Sequence, residues 1–412
     1  MRCGIPDGIS SPAFSPSFGS FGAGAGACLG ACGRLSISTA IDITIDRLVL
    51  DARVVSMVGC LICLPNLLVI PPMKIFTRLA ACLVLAVTAL SAVSAAAQTP
   101  SGDPVKLRIG FQKSSTLIAI LKARGTLERA VAPLNVRIEW GEFASGLPLT
   151  EALNAGAVDF SADVADTVPV FAQAANANFV YVAQETPSPS AQAVIVRHDA
   201  PIHALADLKG KRIAVTKAAG SHYLLLAALA RAKLSPADVR ISYLAPADAR
   251  AAFERNDVDA WFAWDPYVAS VEQEAGARIL IRGDGLASYQ RYYLASTTFA
   301  QAHPQIVDIV FKQLVEAGVW TKAHPQEAAK ILAPVWGLDQ ATVERANTRR
   351  TYAVRAVVAK NFGEQQAIAY IFYQAKLLPK PVDTASALVW DFAGRKAVAA
   401  NTATASLTAT QP

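Results

Sequence analysis

From residue 105 onward two hydrophobic periods take turns along the chain. Leu107-Arg108-Ile109-Gly110-Phe111 and Val136-Arg137-Ile138-Glu139-Trp140 follow the two-residue period of a strand. Val158-Asp159-Phe160-Ser161 and Phe179-Val180-Tyr181-Val182 read as further strands, while residues 116–130, 147–154 and 168–175 carry helical patterns between them. This strand–helix rhythm predicts a mostly parallel sheet covered by helices on both faces. Thr186-Pro187-Ser188-Pro189-Ser190 breaks the rhythm and reads as a linker. A second series follows, with strands at 193–196, 213–215, 239–243, 259–263 and 278–281 and helices at 222–232 and 246–255. After Tyr292-Tyr293-Leu294-Ala295-Ser296 the pattern turns helical to the end, most clearly at 304–322, 325–333, 339–349 and 363–376. The expectation is an α/β protein of two mixed-sheet lobes with a central cleft and a helical C-terminal segment. The first lobe takes residues 98–192 and 297–412, and the second takes 193–296.

The first 97 residues differ in kind. All six cysteines (Cys3, Cys28, Cys32, Cys60, Cys63, Cys82) lie there, and all six tryptophans lie beyond. Met73-Lys74-Ile75-Phe76-Thr77-Arg78 is a short positive segment, Leu79 to Val93 is apolar, and Ala95-Ala96-Ala97 offers small residues before the polar Gln98-Thr99-Pro100. That sequence of regions predicts a cleavable secretory signal peptide over 73–97, too short and wrongly flanked for a membrane span. Leu79-Ala80-Ala81-Cys82 comes too early in the apolar run for a lipoprotein signal. Residues 13–33 are low in complexity, 54–70 form an apolar run broken by Pro65, and Cys60-Leu61-Ile62-Cys63 lacks the strand–helix context of a redox motif. Residues 1–72 are therefore expected to be a misassigned translation start. An exported, cysteine-free remainder fits a bacterial periplasm.

The whole chain has 38 Lys/Arg and 32 Asp/Glu; the first 97 residues hold six and four of these, which leaves residues 98–412 at a formal +4. Such mild charge, with no basic run interleaved with aromatics, does not indicate nucleic acid. No His-Glu-x-x-His, phosphate-loop or Gly-x-Ser-x-Gly pattern is present, and His198, His203, His222, His303 and His324 lack metal-ligand spacing. Binding is favoured over catalysis, with no metal, cofactor or catalytic residue expected.

In open α/β sheets ligands sit beyond the carboxyl ends of strands, so the strand–helix junctions are the places to search. Three are alike: Gln112-Lys113-Ser114-Ser115-Thr116, Asp163-Val164-Ala165-Asp166-Thr167, and Thr216-Lys217-Ala218-Ala219-Gly220-Ser221-His222. Each sets Ser or Thr near a helix start, where free N–H groups and the helix dipole favour an anion. The same residues are also ordinary helix caps, and Asp166 is expected to cap its own helix. A carboxylate there repels an anion unless the ligand also carries an amine. In Trp261-Phe262-Ala263-Trp264-Asp265-Pro266-Tyr267 the two tryptophans differ in strand parity and face opposite sides. One belongs to the core, and the one at the strand's carboxyl end can lie against an apolar ligand tail.

From about 105 to 392 the chain resembles the substrate-binding proteins of aliphatic sulfonate ABC importers, in the sulfonate/nitrate/taurine-binding group with the type II periplasmic-binding fold. The resemblance rests on Gly110-Phe111-Gln112-Lys113-Ser114-Ser115, Glu151-Ala152-Leu153-Asn154-Ala155-Gly156, Pro169-Val170-Phe171-Ala172-Gln173-Ala174-Ala175, Ala206-Asp207-Leu208-Lys209-Gly210-Lys211, His222-Tyr223-Leu224-Leu225, Pro246 to Phe253 and Trp264-Asp265-Pro266-Tyr267. It implies a monomeric receptor that closes around one organosulfonate and docks on an ABC permease. Gln112, Ser114 and Ser115 would hold the sulfonate from one lobe, with Asp166 and Thr167 nearby. Gly220, Ser221 and His222 would approach from the other lobe, Trp264 or Tyr289 would flank the tail, and Lys113 or Lys217 would act at longer range. Ala165 and Val168 stand where the family usually has glycine and proline, and Thr216 to Ser221 departs from its usual second-lobe loop. Taurine, nitrate and a pyrimidine precursor of thiamine are alternative ligands. Taurine would need a carboxylate for its amine, with Asp166 or Asp265 as candidates. An enzyme on the same fold and a regulatory sensing domain are the alternatives of other classes.

Overall fold

The computed structural model describes residues 103–400 apart from 275 and 358–361, all within the unit Thr99–Pro412. The expected translation start and signal peptide lie outside the described residues. The first lobe opens with strand β1 (Val105–Gln112), helices α1 (Thr116–Arg124) and α2 (Thr126–Val131), β2 (Val136–Phe143), α3 (Gly146–Asn154), β3 (Phe160–Ala165), α4 (Thr167–Ala174) and β4 (Phe179–Glu185). The single helix expected over 116–130 is two, because Gly125 turns left-handed (φ 60°) and its N–H closes the end of α1.

The chain then crosses to the second lobe: β5 (Gln192–Arg197), β6 (Arg212–Val215), α5 (Gly220–Arg231), β7 (Arg240–Tyr243), α6 (Pro246–Glu254), β8 (Ala260–Trp264), α7 (Tyr267–Glu274) and β9 (Ala277–Arg282). Its five strands run in the order β7-β6-β8-β5-β9. The return crossing falls at 283–290, earlier than the boundary expected at 296/297. Strand β10 (Arg291–Ser296) pairs antiparallel with both β3 and β4 and so belongs to the first sheet.

Helices α8 (Thr297–Ala302), α9 (Pro304–Ala323), α10 (Pro325–Trp336), α11 (Gln340–Thr348) and α12 (Phe362–Gln374) follow. The tail is not purely helical, as the pattern suggested. Strand β11 (Val354–Ala356) pairs with β4, and the hairpin of β12 (Leu388–Asp391) and β13 (Lys396–Ala399) extends the first sheet beyond β4. The first sheet therefore runs β13-β12-β4-β10-β3-β1-β2, with β11 beside β4. Apolar clusters cover both faces of each sheet: Leu107, Ile109, Phe160 and Tyr293 on one side of the first, and Leu149, Val164, Tyr181 and Tyr292 on the other. Val194, Ile213 and Phe262 back one face of the second sheet, and Ile195, Phe253 and Trp261 the other. Strands buried on both faces are what parallel sheets require. Among the described residues no helix is long and apolar enough to cross a membrane.

Candidate functional site

The carboxyl ends of β1 and β3, the start of β10, and the carboxyl ends of β6 and β8 meet between the lobes. Gln112, Ser114, Gly146, Ala165, Val168, Ala219, Gly220, Trp264, Tyr289 and Arg291 enclose a space there of about 10 Å³, room for one water centre. The lobes are closed on one another. Trp264 Nε1 donates to Ser114 Oγ at 3.3 Å, and Thr167 Oγ1 donates to Ala218 O at 2.5 Å. Gly220 leaves no room for a side chain: a Cβ there would stand 2.6 Å from the Tyr289 ring and 3.2 Å from Ala165 Cβ.

Four helices start around this space, and they are not equivalent. Helix α4 is capped by Asp166, whose carboxylate accepts from Thr167 N at 3.0 Å and from Gln290 N at 3.0 Å. Helices α1, α3 and α5 begin at Ser115, Ser145 and Ala219 without a side-chain cap, so their first N–H groups are not taken by one. Their positive ends favour an anion, whereas α4 already has one.

The cation of the site is Arg291. It is 3% exposed and forms an ion pair with Asp163, and its Nη2 donates to Tyr289 Oη at 2.7 Å. Its Nε is buried and has no hydrogen-bond partner. Behind it Arg350 donates to Glu185 at 2.7 and 2.8 Å, to Asp163 at 3.2 Å and to Thr116 Oγ1 at 3.1 Å. Burial opposes the Arg350 charge, but Glu185 and Asp163 outweigh it and hold its pKa well above the ordinary value. Two arginines against two carboxylates leave the cluster formally neutral; the Nε–H groups of Arg291 and Arg350 are both left without a partner, and of the two arginines it is Arg291 that lines the cavity.

Of the expected site residues, the structure brings Gln112, Ser114, Gly220, Trp264 and Tyr289 together around the cavity. The other expected residues do not line it. Lys113 and Lys217 are exposed. Gln112 itself is anchored, with Nε2 donating to Asp163 O at 2.9 Å. Ser115 Oγ faces back to accept from Gln112 N at 3.2 Å, within the turn that closes β1. Thr167 is a lobe-to-lobe contact. Ser221 Oγ lies buried in the first turn of α5 without a partner. His222 does not line the cavity: its Nδ1 accepts from Ala218 N and its ring meets Tyr243 and Phe372. Asp265 is paired with Arg349 at 3.0 and 3.2 Å and accepts from Ala269 N. Burial, only partly offset by Arg349, pushes its pKa up to about 7; burial likewise raises Asp166 to about 7, with Glu364 adding to it.

Arg291, Arg350, Asp163 and Glu185 were not among the expected ligand-binding residues. Three of them leave a sequence signal: Asp163 interrupts Phe-Ser-Ala-Asp-Val-Ala, Glu185 ends Phe-Val-Tyr-Val-Ala-Gln-Glu, and Arg291 opens Arg-Tyr-Tyr-Leu-Ala-Ser. A charge inside an apolar strand must find a partner. Among the described residues no cluster of three or more His, Cys, Asp or Glu side chains could hold a metal ion.

Residues 132–328 match the family described as NMT1/THI5 like. An Escherichia coli (strain K12) protein named as an aliphatic sulfonates-binding protein is 37% identical over 300 residues, 73% of this chain and 93% of that one. A Bacillus subtilis (strain 168) protein of the same name is 32% identical over 288 residues, 69% of this chain and 86% of its own. Among solved structures, the alkanesulfonate-binding protein SsuA of Xanthomonas axonopodis pv. citri, bound to MOPS, is 38% identical with a TM-score of 0.64, over 68% of this chain and 96% of that one. The fold is thus the two-lobed periplasmic-binding fold expected from the sequence, and the chain belongs to the family of the aliphatic sulfonate-binding proteins, a family of receptors rather than enzymes.

Proposed function

We propose that the chain is the periplasmic substrate-binding component of an ABC importer, a monomer that captures an aliphatic sulfonate between its lobes and delivers it to a membrane permease. The signal peptide at 73–97 is its route of export. The observation that carries the reading is the buried, partnerless Nε–H of Arg291 at a cavity ringed by three helix starts without side-chain caps. A sulfonate has three oxygens and one negative charge; it needs several convergent donors and no acceptor. Arg291, Gln112, Ser114 and the N–H groups at Gly146 and Gly220 are the donors in this reading. Trp264 and Tyr289 form the wall for the organic tail.

Taurine fits less well. Its ammonium needs a carboxylate, and both candidates are committed: Asp166 to two backbone N–H groups and Asp265 to Arg349. Nitrate needs no apolar wall. Ala165 and Val168, where the family usually has glycine and proline, both line the cavity and narrow it. They support a compact or slender tail.

The test is calorimetric titration of the purified protein, freed of small molecules, with alkanesulfonates of rising chain length, taurine, sulfate and nitrate. Affinity that requires the sulfonate and varies with tail length supports the reading. Binding of nitrate or taurine in preference to every alkanesulfonate would overturn it.

A further inference from the structure

We propose that His222 is a positioning residue for the second-lobe half of the site, holding the 216–219 loop against the first lobe only while its imidazole is neutral. The proposal rests on the sulfonate reading above and adds a proton dependence to ligand retention.

The geometry converges on Ala218. This alanine has φ 61°, a left-handed conformation that a side chain rarely adopts and that surrounding contacts must enforce. Two bonds do so from opposite sides. Its N–H donates to His222 Nδ1 at 3.3 Å, and its carbonyl accepts the Thr167 hydroxyl of the first lobe at 2.5 Å. The next two residues, Ala219 and Gly220, line the cavity. His222 thus fixes the loop that presents the second lobe's share of the site, without touching the cavity itself.

The imidazole is fully buried between the lobes. Its ring meets Tyr243 of its own lobe at 5.2 Å and Phe372 of the first lobe's α12 at 5.0 Å, both edge-on. Nε2 lies 3.4 Å from Tyr243 Oη. With Nδ1 accepting from Ala218, Nε2 carries the proton of the neutral ring. A second proton on Nδ1 would set two N–H donors against each other.

The surroundings offer a cation no compensation. The charge of Lys217 in the preceding loop disfavours a second one on the ring, and Tyr243 faces the ring from β7. From the first lobe comes the apolar Phe372. The carboxylates Asp166 and Glu364 of α4 and α12 act on Tyr223, the next residue along α5. Burial first, and Lys217 second, lower the His222 pKa from 6.5 to about 4.

When the lobes part, Phe372 leaves and the ring meets water, so its pKa returns toward the ordinary value. Closure then expels a proton from His222. Its contribution to closure is complete above the open-state pKa and is lost as pH falls from about 6.5 toward 4. For this group alone, sulfonate affinity falls by up to ~30-fold between pH 7.5 and 5. Asp166 and Asp265, both raised to about 7, titrate in the same region with opposite sign, so the informative quantity is a difference between two proteins.

The experiment compares the wild-type protein with His222→Asn and His222→Phe. The asparagine oxygen can take the Ala218 N–H without titrating, whereas phenylalanine keeps a ring and removes the acceptor. Affinity for 1-pentanesulfonate is followed by calorimetry from pH 7.5 to 5, and the radius of gyration of the ligand-free proteins is followed over the same range by X-ray scattering. The expected result is that His222→Asn binds within a few-fold of wild type at pH 7.5 and loses less affinity on acidification, while His222→Phe binds weakly throughout. A pH-dependent gap between wild type and His222→Asn in either readout supports the proposal; superimposed profiles in both overturn it. Failure of pentanesulfonate to bind any of the proteins, with the scattering gap intact, would remove the sulfonate reading and leave the histidine's role standing.

Discussion

Gly220→Ala separates the stability of the lobes from the stability of their closed arrangement. Gly220 is the first residue of α5 and its φ lies outside the left-handed region, so alanine fits the backbone and is the better helix former by up to ~1 kcal/mol. The second lobe should fold at least as well. The closed form should not. The new methyl would stand 2.6 Å from two carbons of the Tyr289 ring and 3.2 Å from Ala165 Cβ, where ordinary contact begins near 3.4 Å. Tyr289 cannot swing aside cheaply, because it is 3% exposed, sits at φ 54° and is held through its hydroxyl by Arg291. The lobes must therefore stop short of full closure by roughly 1 Å, an overpacking that costs about 1–3 kcal/mol. That converts to a ~5- to 150-fold loss of affinity. Calorimetry gives the affinity, and thermal melting without ligand gives the stability. The two should move in opposite directions or the second should stand still. Affinity within ~2-fold of wild type would show that the Gly220–Tyr289 contact is not part of the ligand-bound state.

Arg291→Lys keeps a charge for Asp163 but loses the planar fork and the free Nε–H; alkanesulfonate affinity should fall ~10- to 100-fold by calorimetry, the value of a charge-assisted hydrogen bond, and unchanged affinity would take Arg291 out of the site. Thr167→Val removes the hydroxyl bond to Ala218 O, which should weaken binding by ~1 kcal/mol, read in stopped-flow kinetics as faster dissociation with association little changed. Arg349→Ala leaves Asp265 buried with the Ala269 N–H as its remaining donor; urea unfolding should show a loss of about 3 kcal/mol, partly recovered by adding Asp265→Asn, and an additive double variant would argue against the pairing. The folded-state pKa of Asp166, about 7, lies above its unfolded 3.8, so its contribution to stability is present below ~4 and lost as pH rises to 7; the unfolding free energy of Asp166→Asn should fall less steeply than wild type across that range, and equal slopes would contradict the assignment.

Order of elements was legible because each strand or helix declares its buried face in its own residues. Val136–Phe143 or Pro304–Ala323 needs no partner to be recognised. Membership of a sheet is a different matter. Residues 292–296 read as a strand, yet nothing local says whether β10 joins the strands before it in sequence or returns to the first lobe. Its pairing with β3 and β4, made more than a hundred residues earlier, decides that. The short strands β11 to β13 were lost for a related reason: three or four residues carry too little periodicity, and they become strands by pairing with β4 or with each other.

The site divides along the same line. Ser114 and Ser115 are interchangeable in sequence, and the turn Ser115 N→Gln112 O decides that one points into the cleft while the other folds back. The hydroxyl junctions were readable as caps or as an anion cradle, and the structure shows which helix starts carry a side-chain cap and which do not. Asp166 caps α4 with a carboxylate that is itself held by Gln290 from the return crossing, while Ser115 and Ala219 leave α1 and α5 without a side-chain cap. The charge set is the least legible part. Asp163 and Arg350 stand 187 residues apart, and each alone is only an oddity of composition. Brought together with Glu185 and Arg291 they cancel in charge, and cancellation is what lets two arginines be buried together, one in the cavity wall and one behind it. In the proposed reading, a neutral cluster whose Arg291 Nε–H is left unpartnered at the cavity suits a monoanion without depending on net attraction. The same arrangement disfavours a dianion, whose second charge would meet Asp163 and Glu185 with no further cation to offset it.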